Sequence, residues 1–161
     1  GPGSLYTSII PNLLFSEVVE SIKRSRAKKI YIANIMTQPG ESENYSLYDH
    51  IRAIERHCKG RIFDYVIVNN QPIPDDVLLR YKEDGAYPIY SDRETKERGF
   101  AVIEDRLLNI SDGLIRHNSI KLARVISNLI YGKDVMLNHK LASIRFKKLK
   151  SYIGVNSRNT N

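Results

Sequence analysis

The sequence predicts an α/β fold with a mainly parallel sheet, because strand-like and helix-like segments alternate along the chain. Residues 62–68 (IFDYVIV) are a nearly continuous apolar run, which is typical of a strand covered on both faces. In residues 46–58, Leu47, Ile51, Ile54 and Cys58 fall at spacings of four, three and four, which places them on one face of a helix.

The other elements follow in the same alternation. They are predicted strands over residues 29–36, 87–90 and 100–108 and predicted helices over residues 75–84 and 118–131. Gly85 lies where the end of a helix needs a left-handed residue, and Asn118 is a good helix cap. Pro88 favours an edge position or a strand start for the short segment YPIY.

Composition excludes several classes of protein. The chain has 161 residues, of which 42% are hydrophobic and 27% charged, as in a globular domain and unlike a disordered chain. No apolar run reaches the ~18 residues that span a bilayer. The single Cys58 forms no internal disulfide, and the four scattered histidines show no zinc spacing, so we expect a cytoplasmic protein without a metal site.

The net charge of +7 is concentrated at the end of the chain. Residues 133–161 carry seven basic side chains against one acid, for +6, which leaves only +1 for residues 1–132. We therefore expect no nucleic-acid partner for the body of the protein. The tail is predicted to be a basic helix with a disordered end. It either makes weak contact with an anionic membrane surface or docks its apolar side on the domain.

The opening segment GPGSLYTSIIPNLL is a loop of small residues that leads into a helix. Its candidate ligand-binding residues are Gly1, Gly3, Ser4, Thr7 and Ser8. Such a loop lets backbone N–H groups approach an anion, and Ser8 is expected to cap the helix. The alternatives are that these are only turn and cap residues, or that GPGS is a remnant of a removed tag.

Polar residues also follow the predicted strands, where ligands of open α/β sheets bind. Asn34 and Thr37 are the stronger candidates after the first strand, and Gln38 and Glu41 are explained equally well by a polar turn. Arg116 is expected in the loop between the last strand and the last helix, where its guanidinium suits a diphosphate; the alternative is a surface charge.

Two histidines near the first of these loops receive no catalytic role. His50 lies beside the apolar stripe of its helix and is expected to be packed and hydrogen-bonded, and His57 is expected to be solvated. Neither has a serine or cysteine nucleophile in its sequence context.

Four segments together resemble the carboxyl-terminal half of the YvcK/CofD family, and more closely its YvcK branch, the gluconeogenesis factors. They are GPGSLYTSIIPNLL, NIMTQPGE with the following Tyr48-Asp49-His50, FDYVIVNN and LIRHNSIKLA. The resemblance covers residues 1 to about 131, so we expect residues 1–132 to be the carboxyl-terminal part of such a domain. It implies a Rossmann-like three-layer sandwich in a cytoplasmic bacterial protein. The amino-terminal half of the family, with its GGGTG-type loop and paired aspartates, does not occur in this sequence.

The resemblance also implies a function. Members of the YvcK branch bind UDP-sugars, notably UDP-N-acetylglucosamine, and are linked to gluconeogenic growth, cell shape and wall synthesis. The alternative is the CofD activity, transfer of 2-phospho-lactate in coenzyme F420 synthesis, which uses magnesium; otherwise no cofactor is expected. Arg116 and Tyr81 match positions associated with the UDP-sugar site, although Tyr81 is also explained by helix packing. A homo-oligomer and phosphorylation near Ser119 are compatible with the resemblance.

Overall fold

The computed structural model describes residues 1–132, and the chain divides after Leu122 into two compact units. The α-helices are α1 (Ser16–Arg24), α2 (Leu47–His57), α3 (Asp75–Glu83), α4 (Arg93–Glu97) and α5 (Ser119–Tyr131). The strands are β1 (Ile30–Ile32), β2 (Tyr65–Asn69), β3 (Ala101–Asp105), β4 (Leu108–Ser111) and β5 (Leu114–His117). The basic tail predicted over residues 133–161 lies outside the described residues.

Strands β1, β2 and β3 form a parallel sheet in that order, which confirms the predicted α/β class. The first strand is shorter than predicted: it ends at Ile32, and beyond it Ala33 still donates a hydrogen bond to the carbonyl of Ile67. Residues 87–90 do not form the predicted strand. Pro88 makes a single antiparallel bridge to Met36, and the ladder does not continue past Tyr87 because the Tyr87 N–H donates to the Thr37 side chain and not to a backbone carbonyl.

A β-hairpin formed by β4 and β5 was not predicted. Its strands pair antiparallel, with Asn109 opposite Arg116, and they are joined by Asp112 and Gly113. Both turn residues have positive φ values, 54° for Asp112 and 73° for Gly113, as a two-residue type I′ turn requires. The predicted strand over residues 100–108 is therefore β3 followed by the start of this hairpin.

The predicted helix boundaries agree closely with the structure. Helix α2 begins after Ser46, which forms a reciprocal capping box with Asp49. Helix α3 is followed by Gly85 at a φ of +78°. The side chain of Asn118 accepts a hydrogen bond from the Lys121 N–H at the start of α5.

The opening segment forms a short π-helix over Leu5–Ile9 and then a 3₁₀ helix over Ile10–Leu13. Ser4 caps the π-helix by accepting a hydrogen bond from the Thr7 N–H. The prediction that Ser8 caps this segment was wrong, because Ser8 lies inside the first turn, where its N–H donates to the Ser4 carbonyl.

Two apolar clusters support these elements. The larger one packs α2 and the opening helices around the parallel sheet. The smaller one joins the hairpin to α3 and to the loop after β1; its buried members are Ile35, Met36, Ile73, Val77, Ala86, Leu108 and Ile115. Within residues 1–132, every helix is too short or too polar to cross a membrane.

Candidate functional site

A cavity of about 660 Å³ opens beside the carboxyl end of β1. Three parts of the chain line it: the opening loop, the loop after β1, and α3 with the hairpin. The lining residues are Pro2, Gly3, Ser4, Asn34, Ile35, Met36, Thr37, Gln38, Pro39, Tyr81, Asp84, Ala86, Ile115, Arg116 and His117. The volume lies within the roughly 300–1,000 Å³ of small-molecule sites in proteins.

Six of the nine residues singled out from the sequence line this cavity: Gly3, Ser4, Asn34, Thr37, Tyr81 and Arg116. The other three, Gly1, Thr7 and Ser8, are exposed and do not line it. Gly1 has a packing role instead, because a Cβ at that position would lie 2.7 Å from the carbonyl oxygen of Ile32.

The carboxylate of Glu41, from the loop after β1, binds donors of the opening loop. Its Oε1 accepts hydrogen bonds from the N–H of Tyr6 at 2.8 Å and the N–H of Thr7 at 3.1 Å, and also from the hydroxyl of Ser4. The sequence prediction assigned backbone N–H groups of this segment to a ligand. Two of those donors are already used by Glu41, so the loop contributes to the cavity through Gly3 and Ser4.

The loop after β1 forms a rigid wall of the cavity. Thr37 is only 3% exposed, and its Oγ1 accepts a hydrogen bond of 2.9 Å from the Tyr87 N–H. The Thr37 N–H donates in return to the Tyr87 carbonyl at 2.7 Å, and the Ile35 carbonyl accepts from the Ile89 N–H. Thr37 is therefore a structural anchor of this wall as well as a lining residue.

The hairpin forms a second wall of the cavity and carries the guanidinium of Arg116. Arg116 lies within β5, not in the loop after the last strand where it was predicted, because the hairpin extends the chain by two strands. The Tyr81 hydroxyl accepts a hydrogen bond of 2.9 Å from the Ile115 N–H, and the Tyr81 side chain packs on the smaller apolar cluster. The expectation of helix packing and that of cavity lining both hold for Tyr81.

His117 connects the two walls. Its Nε2 lies 3.1 Å from the carbonyl oxygen of Ala33, and since a carbonyl can only accept, Nε2 carries the proton. Burial lowers the pKa of His117 below its ordinary value, which favours a neutral ring with an acceptor at Nδ1.

Several polar groups of the cavity have no partner within the described part of the chain. The amides of Asn34 and Gln38 and the carboxylate of Asp84 make no side-chain hydrogen bond there. Sequence reasoning missed Asp84 and His117 as lining residues and gave Gln38 less weight. The Asp-Gly pair at residues 112–113 signals the hairpin that places His117, but nothing in the sequence directs Asp84 to this cavity.

Outside the cavity, the structure offers no second cluster with evident chemistry in residues 1–132. Groups of three or more His, Cys, Asp or Glu side chains close enough to hold a metal are absent there. His50 is fully buried; its Nδ1 lies 2.9 Å from the Ser46 carbonyl and its ring contacts Tyr45, as a packed histidine should.

Comparison with known proteins agrees with this architecture. The family model described as "2-phospho-L-lactate transferase CofD" matches residues 1–108. The gluconeogenesis factor of Bacillus subtilis is 40% identical over 131 residues, and a gluconeogenesis-factor relative from Thermoanaerobacterium thermosulfurigenes is 49% identical over 131 residues. In both cases the match covers 81% of this chain but only 41% and 40% of the relative, so the chain spans about two fifths of their length.

A solved structure supports the same assignment. The crystal structure of a UPF0052-family protein from Bacillus halodurans superposes with a TM-score of 0.75 at 42% identity. The match covers 78% of this chain and 41% of that chain. The chain therefore belongs to the YvcK/CofD family, and the relatives that it matches are gluconeogenesis factors.

Proposed function

We propose that the cavity binds a UDP-sugar, with UDP-N-acetylglucosamine as the first ligand to test. The protein would then be a cytoplasmic regulator of gluconeogenic carbon metabolism, cell shape and wall synthesis that performs no chemistry itself. The observation that carries the proposal is the convergence of separate chain segments on one cavity. Ser4, Asn34 and Arg116, which are far apart in sequence, line it together.

Arg116 is the group best suited to the diphosphate. It is the one Lys or Arg among the lining residues that the structure describes, and its exposed guanidinium retains donors beyond the contact of 3.3 Å to the Ile115 carbonyl. A guanidinium presents several N–H donors in a fixed plane and binds phosphate oxygens in pairs. Among the described lining residues, the hairpin thus supplies the one permanent positive charge.

The remaining lining suits the uncharged parts of a nucleotide-sugar. Asn34 and Gln38 provide amides that both donate and accept, and the ring of Tyr81 provides an aromatic surface for a base or sugar. Apolar side chains such as Met36 and Ile115 lie between these groups. A mostly apolar cavity with a few polar groups is the usual form of a small-molecule site.

The regulatory role is supported by the relatives. Those that match most of this chain are named gluconeogenesis factors. The second candidate, transfer of 2-phospho-lactate, is favoured by the description of the matching family model. Residues 1–132 contain no group of three or more acidic, histidine or cysteine side chains close enough to hold a metal ion, so we derive no step of that reaction.

Calorimetric titration of the 161-residue chain with UDP-N-acetylglucosamine tests the proposal. We expect saturable binding, and we expect Arg116→Glu to weaken it roughly a hundredfold, since a charge-assisted bond becomes a like-charge contact. The matched control is Arg106→Glu, an exposed arginine outside the cavity, which should bind as the wild type does. Equal affinity of the wild type and Arg116→Glu would refute the assignment, and turnover of a deazaflavin substrate would favour the transferase.

A further inference from the structure

Among the described residues that line the cavity, Asp84 is the one acid, and the proposed function has not yet used it. Asp84 is the capping residue that follows α3; its backbone N–H donates to the Arg80 carbonyl, but its side chain is exposed. Within residues 1–132 this carboxylate has neither a hydrogen bond nor an ion pair. Its acceptor capacity is therefore available to a ligand.

Local folding does not explain an acid at this position. The carboxyl end of a helix carries partial negative charge, which favours basic residues there, and Arg80 and Lys82 in the last turn of α3 follow that rule. Asp84 opposes it. A residue that breaks a local rule without a compensating contact is expected at a site of function.

Asp84 and Arg116 give the cavity two groups of opposite hydrogen-bonding character. An ionised carboxylate only accepts hydrogen bonds, and a guanidinium only donates them. A phosphate satisfies Arg116 and is repelled by Asp84, whereas two adjacent hydroxyl groups can donate to both oxygens of a carboxylate. The lining is thus matched to a ligand that has an anionic group for Arg116 and adjacent hydroxyl groups for Asp84.

We propose that Asp84 is a specificity residue that binds a vicinal diol of the ligand, on its ribose or on its hexose, while Arg116 binds the diphosphate. This inference rests on the proposed function. Asp84 also disfavours ligands whose charge is not balanced by hydroxyls, so it selects sugar-bearing nucleotides against pyrophosphate. Tyr81, three residues earlier on α3, lines the same cavity, which places an aromatic surface next to the diol-binding group.

Titration of Asp84→Asn with four probes tests this role: UDP-N-acetylglucosamine, UDP, 2′-deoxy-UDP and pyrophosphate. We expect affinity for UDP-N-acetylglucosamine to fall roughly tenfold, as for loss of a charge-assisted hydrogen bond. Affinity for pyrophosphate should stay the same or rise, because a repulsive charge is removed. The melting temperature should stay the same or rise, which separates loss of binding from loss of structure.

The matched control is Glu83→Gln, which removes the neighbouring exposed carboxylate outside the cavity and should leave all four affinities unchanged. If Asp84→Asn weakens UDP as much as UDP-N-acetylglucosamine, and 2′-deoxy-UDP already binds the wild type weakly, the diol is that of the ribose. If only UDP-N-acetylglucosamine is weakened, the diol is that of the hexose. If Asp84→Asn and Glu83→Gln bind all four probes with the same affinities, the inference is overturned, whereas binding of UDP-N-acetylglucosamine to the wild type still upholds the proposed function. If the wild type binds no uridine ligand, both the inference and the proposed function are overturned.

Discussion

The two walls of the cavity differ in how they are held. The wall after β1 is buried and is fixed by hydrogen bonds between Thr37 and Tyr87. The hairpin wall is more exposed; Leu108 and Ile115 pack it on the smaller apolar cluster, and the Tyr81 hydroxyl and His117 add hydrogen bonds to the rest of the fold. The difference indicates that the wall after β1 maintains the shape of the cavity and that the hairpin wall supplies its charge. Substitutions in the two walls should therefore have different consequences.

The largest expected effect is on ligand affinity, and it comes from a substitution in the hairpin wall. Arg116→Glu should weaken UDP-N-acetylglucosamine by about 3 kcal/mol yet change the free energy of unfolding by no more than ~0.5 kcal/mol, because Arg116 is exposed. Urea denaturation alongside calorimetry measures both quantities. A large loss of stability would show that the hairpin wall is structural after all.

The buried wall should respond in the opposite way. Thr37→Val keeps the volume of the side chain but leaves the Tyr87 N–H without its acceptor, which should lower the free energy of unfolding by about 1–3 kcal/mol. The control is Thr95→Val, since the Thr95 hydroxyl is buried without a partner in the described residues and its removal should not destabilise. Equal urea midpoints for the two variants would contradict the anchoring role of Thr37.

The free energy of unfolding should depend on pH through His117, which connects the two walls. Burial lowers the pKa of His117, so below pH ~6.5 the unfolded chain takes up a proton more readily than the folded one, and stability falls as the pH falls. The loss is at most ~1.4 kcal/mol per pH unit from this group. His117→Gln should reduce the slope of unfolding free energy between pH 7 and pH 5.5. His50, whose pKa burial also lowers, maintains part of the slope.

Saturating ligand should reduce the same pH dependence. A bound diphosphate near His117 favours the charged ring, so it opposes the loss of stability on acidification. Thermal denaturation with and without UDP-N-acetylglucosamine across this pH range measures the difference. If the slope of unfolding free energy against pH is the same in His117→Gln as in the wild type, other groups cause the pH dependence.

The smallest effect is expected at the attachment of the hairpin to α3. Tyr81→Phe removes the acceptor of the Ile115 N–H, which should cost about 1 kcal/mol and act on the hairpin alone. Hydrogen exchange should quicken roughly fivefold at the Ile115 amide and stay unchanged at Val66 in β2. The control Tyr87→Phe, at a side chain that is 43% exposed, should leave both rates as they are.

The same contrast explains how much the sequence could predict. Helix α2 carries a strong periodic pattern because it buries one face, and strand β2 is a nearly continuous apolar run because both of its faces are buried. The boundaries of both elements were predicted within a few residues. The capping roles of Ser46 and Asn118 are local and can be recognised in the sequence. The rigid side of the cavity was predictable through Asn34 and Thr37, which follow a strand.

The hairpin wall was harder to predict, because tertiary contacts determine it. Arg116, which was predicted to bind the ligand, lines the cavity, but it was assigned to a loop because the Asp112–Gly113 turn was not recognised. Glu41 satisfies donors that the sequence assigned to a ligand, and that contact joins segments 34 to 37 residues apart. Asp84 carries no periodic or motif signal. Its place in the cavity follows only from the packing of α3.

The central claim is that both walls contact one ligand, and a crystal structure of the chain with UDP-N-acetylglucosamine tests it most directly. The account predicts that the diphosphate lies within hydrogen-bonding distance of the Arg116 guanidinium and that Asn34, in the loop after β1, contacts the same ligand. A ligand bound outside this cavity, or one held by the loop after β1 with Arg116 out of reach, would contradict it.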